Sequence, residues 1–363
     1  MIRMSADAIK LLKPRAFDKS KWMQLPRDVV IGHDVLGQLP AVCQDLKLGE
    51  SVLLISGAGT MKLAGNTVKT ILSAEGYKVK PFLAEEITAP VIKRAEKAAK
   101  GADFLIGVGG GRVIDTAKIV SFNLDLPFIS VPTAASHDGI ASARASVSLS
   151  SGHSSLEAQP PVAIIADTGI IASAPHRLLA AGCADVISNY TAILDWELAH
   201  RVKGEPVSEY AITLSKMTAE ILVKDAHLIK PHQEESAWIV VKALVSSGVA
   251  MSIAGSSRPA SGGEHKFSHA LDKLAPGKAL HGESCGIGTI ISMYLHGGDW
   301  RGIRSSLRII GAPVTPADVG IDDKVAVEAL LMAKTIRPER FTIFDMGLTK
   351  ESAEKLVRML YTE

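Results

Sequence analysis

The chain has 363 residues, of which 47% are hydrophobic and 21% are charged, and its 40 lysine and arginine residues nearly balance 38 aspartate and glutamate residues. This composition is typical of a globular protein with a large core and excludes a disordered chain. The net charge of +2 excludes a nucleic-acid binder that relies on a strong basic field. The length predicts about two domains.

The cysteine content and the lack of long apolar runs indicate a cytoplasmic protein. Cys43, Cys183 and Cys285 lie far apart and are odd in number, so they support neither a disulfide framework nor a CxxC metal site. No run of about 18 uncharged apolar residues is present, and we therefore expect no transmembrane helix. Residues 1–21 lack the continuous apolar core of a secretion signal, and we expect them to form a surface helix or arm.

In the first half of the chain, short apolar runs alternate with helical patterns. We predict strands at Val29–Ile31, Ser51–Ser56, Lys78–Phe82, Asp103–Val108, Pro127–Val131, Ala143–Leu149 and Val162–Ala166. Helices are predicted at Gly59–Glu75 and Ala89–Lys100, and a polar loop at Ser150–Pro160. The alternation of strand and helix is typical of a parallel sheet that is covered on both faces.

The second half has the 3.6-residue periodicity of helices. We predict helices at His176–His200, Pro206–Leu228, Glu234–Ala254, Glu283–Leu295 and Val325–Ala333. The change of pattern places a domain boundary near residue 170, with an α/β domain at residues 1–170 and a helical domain at residues 171–363.

A glycine-rich loop joins a predicted strand to a predicted helix. Gly109, Gly110 and Gly111 permit positive φ and keep side chains away from a ligand. The helix that follows would favour an anion such as a pyrophosphate at its N-terminus. Arg112 stands where a GxGxxG motif has its third glycine, and no P-loop lysine follows. A tight turn without a ligand is the alternative.

A second loop, Pro132–Ser142, follows the next predicted strand. Its small and hydroxyl-bearing residues leave room for a ligand at the carboxyl edge of a parallel sheet. The alternative is a solvated connection.

Candidate metal ligands occur in three predicted helical segments. Asp185 lies in an apolar stretch, where a buried carboxylate needs a compensating charge or several donors. His265 and His269 are four residues apart and share one helix face, and His281 begins another helix. Because Lys266 follows His265, the segment is not an HExxH motif. The set fits an open divalent-metal site, and the alternative is a group of separate core or surface side chains.

Five segments together resemble a known family. They are Gly109–Lys118, Ser136–Ser142, Ala184–Asn189, Gly263–Asp272 and Leu280–Glu283. Their order and spacing are similar to those of the superfamily that contains dehydroquinate synthase, glycerol dehydrogenase and the iron-containing alcohol dehydrogenases. Within it they resemble the archaeal sn-glycerol-1-phosphate dehydrogenases, over about residues 22 to 345.

The resemblance implies a dehydroquinate synthase-like fold, with a Rossmann-like dinucleotide-binding domain followed by a helical metal- and substrate-binding domain. It implies one zinc ion per subunit, held by Asp185, His265 and His281. Asp138 and His269 match catalytic positions that face the substrate, and Asp185 also touches it. The positions that match contacts to NAD(P)H are Gly109, Gly110, Gly111, Arg112, Val113, Ile114, Asp115, Thr133, Ala134, Ala135, Ser136 and Ser142.

The activity implied by the resemblance is zinc-dependent reduction of dihydroxyacetone phosphate to sn-glycerol 1-phosphate with NADH or NADPH, which supplies the backbone of archaeal ether phospholipids. We expect a cytoplasmic homo-oligomer without nucleic-acid binding or membrane insertion. The alternatives are an NAD-dependent glycerol dehydrogenase of the same fold and an inactive metal- or nucleotide-binding regulator. For the substrate phosphate, Lys266, Arg258 and Arg144 are candidates that the sequence does not rank.

Overall fold

The computed structural model describes residues 23–149 and 152–362. The predicted N-terminal arm lies outside the described residues. The strands are β1 Asp28–Gly32, β2 Ser51–Ser56, β3 Lys78–Leu83, β4 Phe104–Gly109, β5 Phe128–Pro132, β6 Arg144–Leu149, β7 Gly152–Glu157 and β8 Ala163–Asp167. Six of them form one parallel sheet in the order β1-β8-β5-β4-β2-β3.

Alternate residues of the central strands supply two separate cores, one on each face of the sheet. Leu53, Ile55 and Leu105 belong to one buried cluster, while Leu54 and Ile106 belong to another. This division follows from the two-residue period of a strand. Because both faces are covered, β4 is buried along its whole length and reads as a continuous apolar run.

The helices of the α/β part cover this sheet. They are α1 Leu39–Asp45, α2 Asn66–Ala74, α3 Ala89–Ala98 and α4 Gly111–Leu124. The predicted helix at Gly59–Glu75 begins with a helical turn at Ala58–Thr60 and a π-helical turn at Met61–Gly65 before it continues as α2. The predicted alternation of strands and helices is confirmed.

The prediction of a loop over Ser150–Pro160 is wrong in part. Strand β7 lies within that range and pairs with β6 in an antiparallel hairpin, in which Arg144 faces Glu157. Main-chain hydrogen bonds supply this pairing, so a serine-rich segment without apolar alternation forms a strand that the pattern does not reveal.

After β8 the described chain is helical. The helices are α5 Thr168–Ser173, α6 His176–Ile187, α7 Asn189–Lys203, α8 Glu209–Lys224, α9 Glu234–Ala254, α10 Gly263–Leu274, α11 His281–Leu295, α12 Trp300–Ile310, α13 Asp323–Ala333 and α14 Lys350–Met359. The predicted fold class, a parallel α/β sheet followed by a helical region, is confirmed. The domain boundary near residue 170 stays a prediction.

The predicted single helix His176–His200 is wrong, because the chain forms two helices that meet at Ser188. The Ser188 hydroxyl donates to the main-chain carbonyl of Asp185 at 2.6 Å. A serine that bonds to the preceding turn in this way competes with the regular helix ladder and favours a bend.

Helix α9 is the one described helix that is long and apolar enough to cross a membrane by length and composition. However, 56% of its most apolar window is buried inside the structure. Ala237, Val241 and Leu244 from this helix belong to the large core cluster of the helical region. The helix therefore packs as a core helix of this fold.

Candidate metal and nucleotide site

Three helices and the loop after β5 meet at the candidate site. Asp185 comes from α6, His265 and His269 from α10, and His281 from α11. Glycines permit the close packing: a Cβ at Gly182 would lie 2.1 Å from the carbonyl oxygen of Ala135, and one at Gly282 would lie 1.9 Å from that of Ala181. The loop, α6 and the start of α11 therefore touch through their main chains.

The side chains of Asp185, His265, His281 and Cys285 form a donor cluster, in which one ligand atom of each lies within 4.8 Å of the others. The Asp185 Oδ1 atom is 3.8 Å from His265 Nε2 and 3.6 Å from His281 Nε2. Two ligand atoms that each lie about 2.1 Å from one tetrahedral ion are about 3.4 Å apart. The spacing of the donor cluster therefore suits atoms that share an ion.

His265 is oriented by a buried carboxylate. Its Nδ1 lies 2.9 Å from Glu264 Oε1, and Thr191 donates to the other oxygen of Glu264 at 2.8 Å. Burial opposes the charged form of Glu264, but the hydrogen bonds from His265, Gly262 and Thr191 together outweigh it and lower the pKa of this carboxyl. With Nδ1 donating to Glu264, the lone pair of Nε2 points towards Asp185.

His281 is held in its neutral form. Burial, followed by the nearby charges of His265 and His269, lowers the pKa of His281 well below its ordinary value. Its Nδ1 lies 3.3 Å from the hydroxyl of Ser268. A neutral imidazole is the form that binds a metal ion.

Two carboxyl groups lie side by side at the loop after β5. The main-chain N–H of Asp138 donates to Asp185 Oδ2 at 2.9 Å, and the Ser247 hydroxyl donates to Asp138 Oδ2 at 3.0 Å. Removal from water, and then the charge of Asp185, raise the pKa of Asp138 to about 6. Burial likewise raises the pKa of Asp185. A divalent cation at the donor cluster would compensate this buried negative charge.

His269 lies beside the donor cluster rather than within it. It follows His265 by one turn of α10, and its ring centroid is 5.8 Å from that of His281. Sequence reasoning missed Cys285, whose Sγ lies 3.7 Å from His281 Nε2. The available sequence signal was its position four residues after His281 on the same helix face.

The glycines of this loop matter because they lack side chains and not because they adopt unusual backbone angles. Gly110 has a φ of −77°, and Gly109 and Gly111 are not among the residues with positive φ. The three glycines therefore do not use the positive φ that they permit. A Cβ at Gly111 would lie 2.0 Å from His137 Nε2, whereas a Cβ at Gly110 would meet nothing within 4 Å. The space at Gly110 is open to a ligand at the N-terminus of α4.

The residues that follow the glycines divide into buried and exposed side chains. Val113, Ile114 and Asp115 are buried, while Arg112 is exposed. Asp115 accepts a hydrogen bond from the Ser146 N–H at 2.9 Å, which ties α4 to β6. The side chains of these three residues therefore pack inside the structure, whereas that of Arg112 faces solvent.

The two predicted cofactor loops lie next to each other. The Thr133 N–H donates to the Gly109 carbonyl at 3.0 Å. Thr133, Ala134, Ala135 and Ser142 are buried, while Ser136 is half-buried. The structure thus brings the predicted cofactor residues of β4 and β5 to one edge of the sheet, while their roles remain predictions.

The comparisons with known proteins agree with this fold. The model of the family described as "Iron-containing alcohol dehydrogenase" matches residues 30–175. The crystal structure of glycerol dehydrogenase from Schizosaccharomyces pombe is similar with a TM-score of 0.77 and 20% identity, over 94% of this chain and 90% of that chain. This likeness shows the fold alone. The chain therefore has the fold of the iron-containing alcohol dehydrogenase class.

Two curated relatives narrow the class. A protein of Methanoregula boonei is 78% identical over 99% of this chain and 100% of its own length, and one of Methanosphaerula palustris is 73% identical with the same coverage. Both are named glycerol-1-phosphate dehydrogenase, with NAD(P)+ in the name. The chain belongs to the glycerol-1-phosphate dehydrogenase family. The predicted resemblance is therefore confirmed.

Proposed function

We propose that this chain reduces dihydroxyacetone phosphate to sn-glycerol 1-phosphate with NADH or NADPH. The observation that carries the proposal is the donor cluster, which lies beside the glycine loop in a chain whose relatives are named for this product. The product has the chemistry of a glycerol backbone and would be consumed in the synthesis of archaeal ether phospholipids.

Asp185, His265 and His281 are the ligands that we assign to one zinc ion per subunit. Two neutral imidazoles and one carboxylate form a common ligand set for zinc. Glu264 is hydrogen-bonded to His265 and orients it, as carboxylates beside metal-binding histidines do in many zinc sites. When bound, zinc supplies a Lewis acid that stabilises the charge developing on a carbonyl oxygen during reduction.

We assign the nicotinamide cofactor to the edge formed by the glycine loop and the loop after β5. Gly109, Gly110, Gly111 and the start of α4 would hold the pyrophosphate through main-chain N–H groups and the helix dipole. When bound, NAD(P)H supplies the hydride. The further contacts that we assign are Arg112, Val113, Ile114, Asp115, Thr133, Ala134, Ala135, Ser136 and Ser142.

Asp138 and His269 are the residues that we assign to the substrate. Ser247 fixes the carboxyl of Asp138, so that its remaining acceptor sites orient a substrate hydroxyl group. His269 lies one helical turn from His265 and would return a proton from its imidazole, directly or through water, to the reduced oxygen of the substrate.

The setting of the enzyme is part of the proposal. We infer two domains that meet near residue 170, a cytoplasmic location, and assembly into a homo-oligomer without nucleic-acid binding or membrane insertion. The burial of α9 within the structure supports the proposal that the chain does not insert into a membrane.

The test is oxidation of NADH and NADPH by the purified chain with dihydroxyacetone phosphate, run beside glycerol with NAD+. Turnover of the phosphorylated ketone, with sn-glycerol 1-phosphate identified by chiral analysis, would support the proposal. Turnover of glycerol alone would make the chain a polyol dehydrogenase. Binding of zinc and NADPH without turnover of either substrate would instead indicate an inactive regulator.

A further inference from the structure

Two of the three cations that the sequence offers for the substrate phosphate are already neutralised. The buried Lys266 ammonium donates to Asp345 Oδ2 at 2.9 Å and to the Arg340 carbonyl at 3.0 Å. Arg258 forms a forked ion pair with both carboxylate oxygens of Glu205. Because each of these cations is already paired with a carboxylate, neither is a good candidate to bind the substrate phosphate.

Two other arginines lack a carboxylate partner. Within the described part of the chain, no ion pair of 4.0 Å or less involves Arg337 or Arg340. The Arg340 guanidinium donates to Ser261 O and to the hydroxyl of Ser257, both of which are neutral groups. The described residues give the side chain of Arg337 no hydrogen-bond partner.

Among the described residues, the guanidinium groups of Arg337 and Arg340 therefore carry their charge without a direct ion pair. Burial, and then the nearby charge of Arg337, lower the pKa of Arg340 to about 9. The group is still protonated at neutral pH. Burial, and then the charge of Arg144, lower the pKa of Arg337, while Glu339 partly offsets that charge without an ion pair to Arg337 among the described residues. Arg144 also lowers the pKa of Arg340. The grouped guanidinium charges make a local field that favours an anion.

Hydrogen bonds connect the segment that contains Arg337 and Arg340 to α10, the helix that carries His265 and His269. Lys266, the residue after His265, donates to the Arg340 carbonyl, while Arg340 donates to Ser261 just before α10 begins. The Arg340 N–H in turn donates to the Arg337 carbonyl at 2.9 Å. Arg337 thus stands on a tight turn fixed beside the donor cluster, and its charge contributes to the lowered pKa of His281.

The backbone of Arg337 is strained. Its φ is +47°, in the left-handed region that residues other than glycine, asparagine and aspartate rarely adopt. Pro338 follows and further restricts the residue before it. Strain of this kind persists where the surroundings enforce it, and it is commonest at ligand sites.

We infer that Arg337 binds the phosphate group of the substrate through its guanidinium, with Arg340 behind it as a supporting cation. The inference rests on the proposed function, which supplies a phosphorylated ketone. A guanidinium presents two parallel N–H donors to a phosphate and remains charged. An unphosphorylated polyol would give neither arginine an anionic partner, so the same pair favours phosphorylated substrates.

The test compares Arg337→Gln with wild type for dihydroxyacetone phosphate and for dihydroxyacetone, which lacks the phosphate. We expect kcat/KM for the phosphorylated ketone to fall about 100-fold, chiefly through KM, since a charged hydrogen bond is lost. For dihydroxyacetone it should stay within about threefold. Arg301→Gln is the matched control, because Arg301 is exposed and lies over the Trp300 ring on α12.

Inorganic phosphate provides a readout that does not depend on turnover. It should bind wild type and Arg301→Gln, as measured by calorimetry, and should bind Arg337→Gln at least about 10-fold more weakly. Arg337→Lys keeps the charge without the fork and should give an intermediate loss with both readouts. If Arg337→Gln does not fold, Arg337→Lys replaces it in both measurements.

The outcomes separate the two proposals. If wild type reduces dihydroxyacetone phosphate and both Arg337 variants do so with unchanged KM, the phosphate role of Arg337 is wrong and the proposed function stands. If wild type reduces only unphosphorylated substrates, the proposed function is wrong. In that case unchanged phosphate binding by the variants would overturn the anion site as well, whereas weakened binding would preserve it.

Discussion

Glu264 fixes the imidazole of His265. Its Oε1 lies 2.9 Å from His265 Nδ1, and its carboxylate is completely buried. The other ring nitrogen of His265 thereby faces Asp185, 3.8 Å away. These two neighbouring residues therefore have different roles: His265 is placed to bind a metal ion, and Glu264 sets the orientation of the His265 ring.

The first prediction concerns this pair. Glu264→Gln removes the charge that orients His265, and we expect zinc affinity to fall about 10- to 100-fold. Competition with a chelator of known affinity measures the change. Glu351→Gln, on the exposed side of α14, is the matched control and should leave zinc affinity unchanged. Equal affinities of all three proteins would show that Glu264 does not support the metal ligand.

The second prediction separates the ligands within the donor cluster. His281→Ala should lose bound zinc and turnover, because it removes one of three ligands. Cys285→Ser should keep one zinc per chain and most of its activity, since a catalytic zinc needs an open position that a fourth protein ligand would fill. Metal analysis of the purified variants is the measurement. Loss of zinc from Cys285→Ser would make Cys285 a ligand.

The third prediction concerns the open space at Gly110. A Cβ at this position meets no protein atom within 4 Å. Gly110→Ala should therefore leave the melting temperature unchanged but raise the Kd for NADPH, by about 10-fold or more, because the methyl group would occupy the approach of the pyrophosphate. Titration of NADPH fluorescence gives the Kd.

Gly37→Ala is the control for that experiment, since its Cβ would also meet no atom within 4 Å and it lies on a short helix before α1. It should change neither quantity. An unaltered Kd in Gly110→Ala would place the cofactor elsewhere.

The fourth prediction concerns a buried lysine in the cofactor region. Lys118 is fully buried, and its Nζ donates to the carbonyls of Gly139 at 2.7 Å and Arg144 at 2.6 Å. Lys118→Met removes the Nζ donor from these two carbonyls and the buried cation beside Asp115. We expect a loss of about 2–4 kcal/mol in the free energy of unfolding.

Chemical denaturation measures this loss. The control is Lys97→Met, because Lys97 is exposed on α3 and a surface substitution of this kind changes stability by about 0.5 kcal/mol or less. Equal stability of the two variants would mean that the buried hydrogen bonds of Lys118 contribute nothing to folding.

The sequence predicts most elements because their patterns are local. Helix Glu234–Ala254 has the predicted bounds, and the parallel strands fall within about two residues of theirs. The break at Ser188 was not predicted, because it depends on a side-chain hydrogen bond within an otherwise periodic run. Strand β7 was missed because main-chain pairing leaves no trace in a serine-rich segment.

The site is predictable only where its residues lie in motifs. Asp185, His265 and His281 stand in recognisable segments, and the structure brings them together. Glu264 also stands in such a segment, but its role in orienting His265 depends on tertiary packing. Arg337 carries no sequence signal at all, because its position beside α10 is set by hydrogen bonds between residues about 75 positions apart.

The most direct test of the proposed zinc-dependent reduction follows NADPH oxidation with dihydroxyacetone phosphate while zinc is returned to the chelated, full-length protein. We predict no turnover without metal, and a rate that rises in proportion to bound zinc until one ion per chain is reached. Full activity in the metal-free protein, or no activity with one zinc bound per chain, would contradict the proposed zinc-dependent reduction.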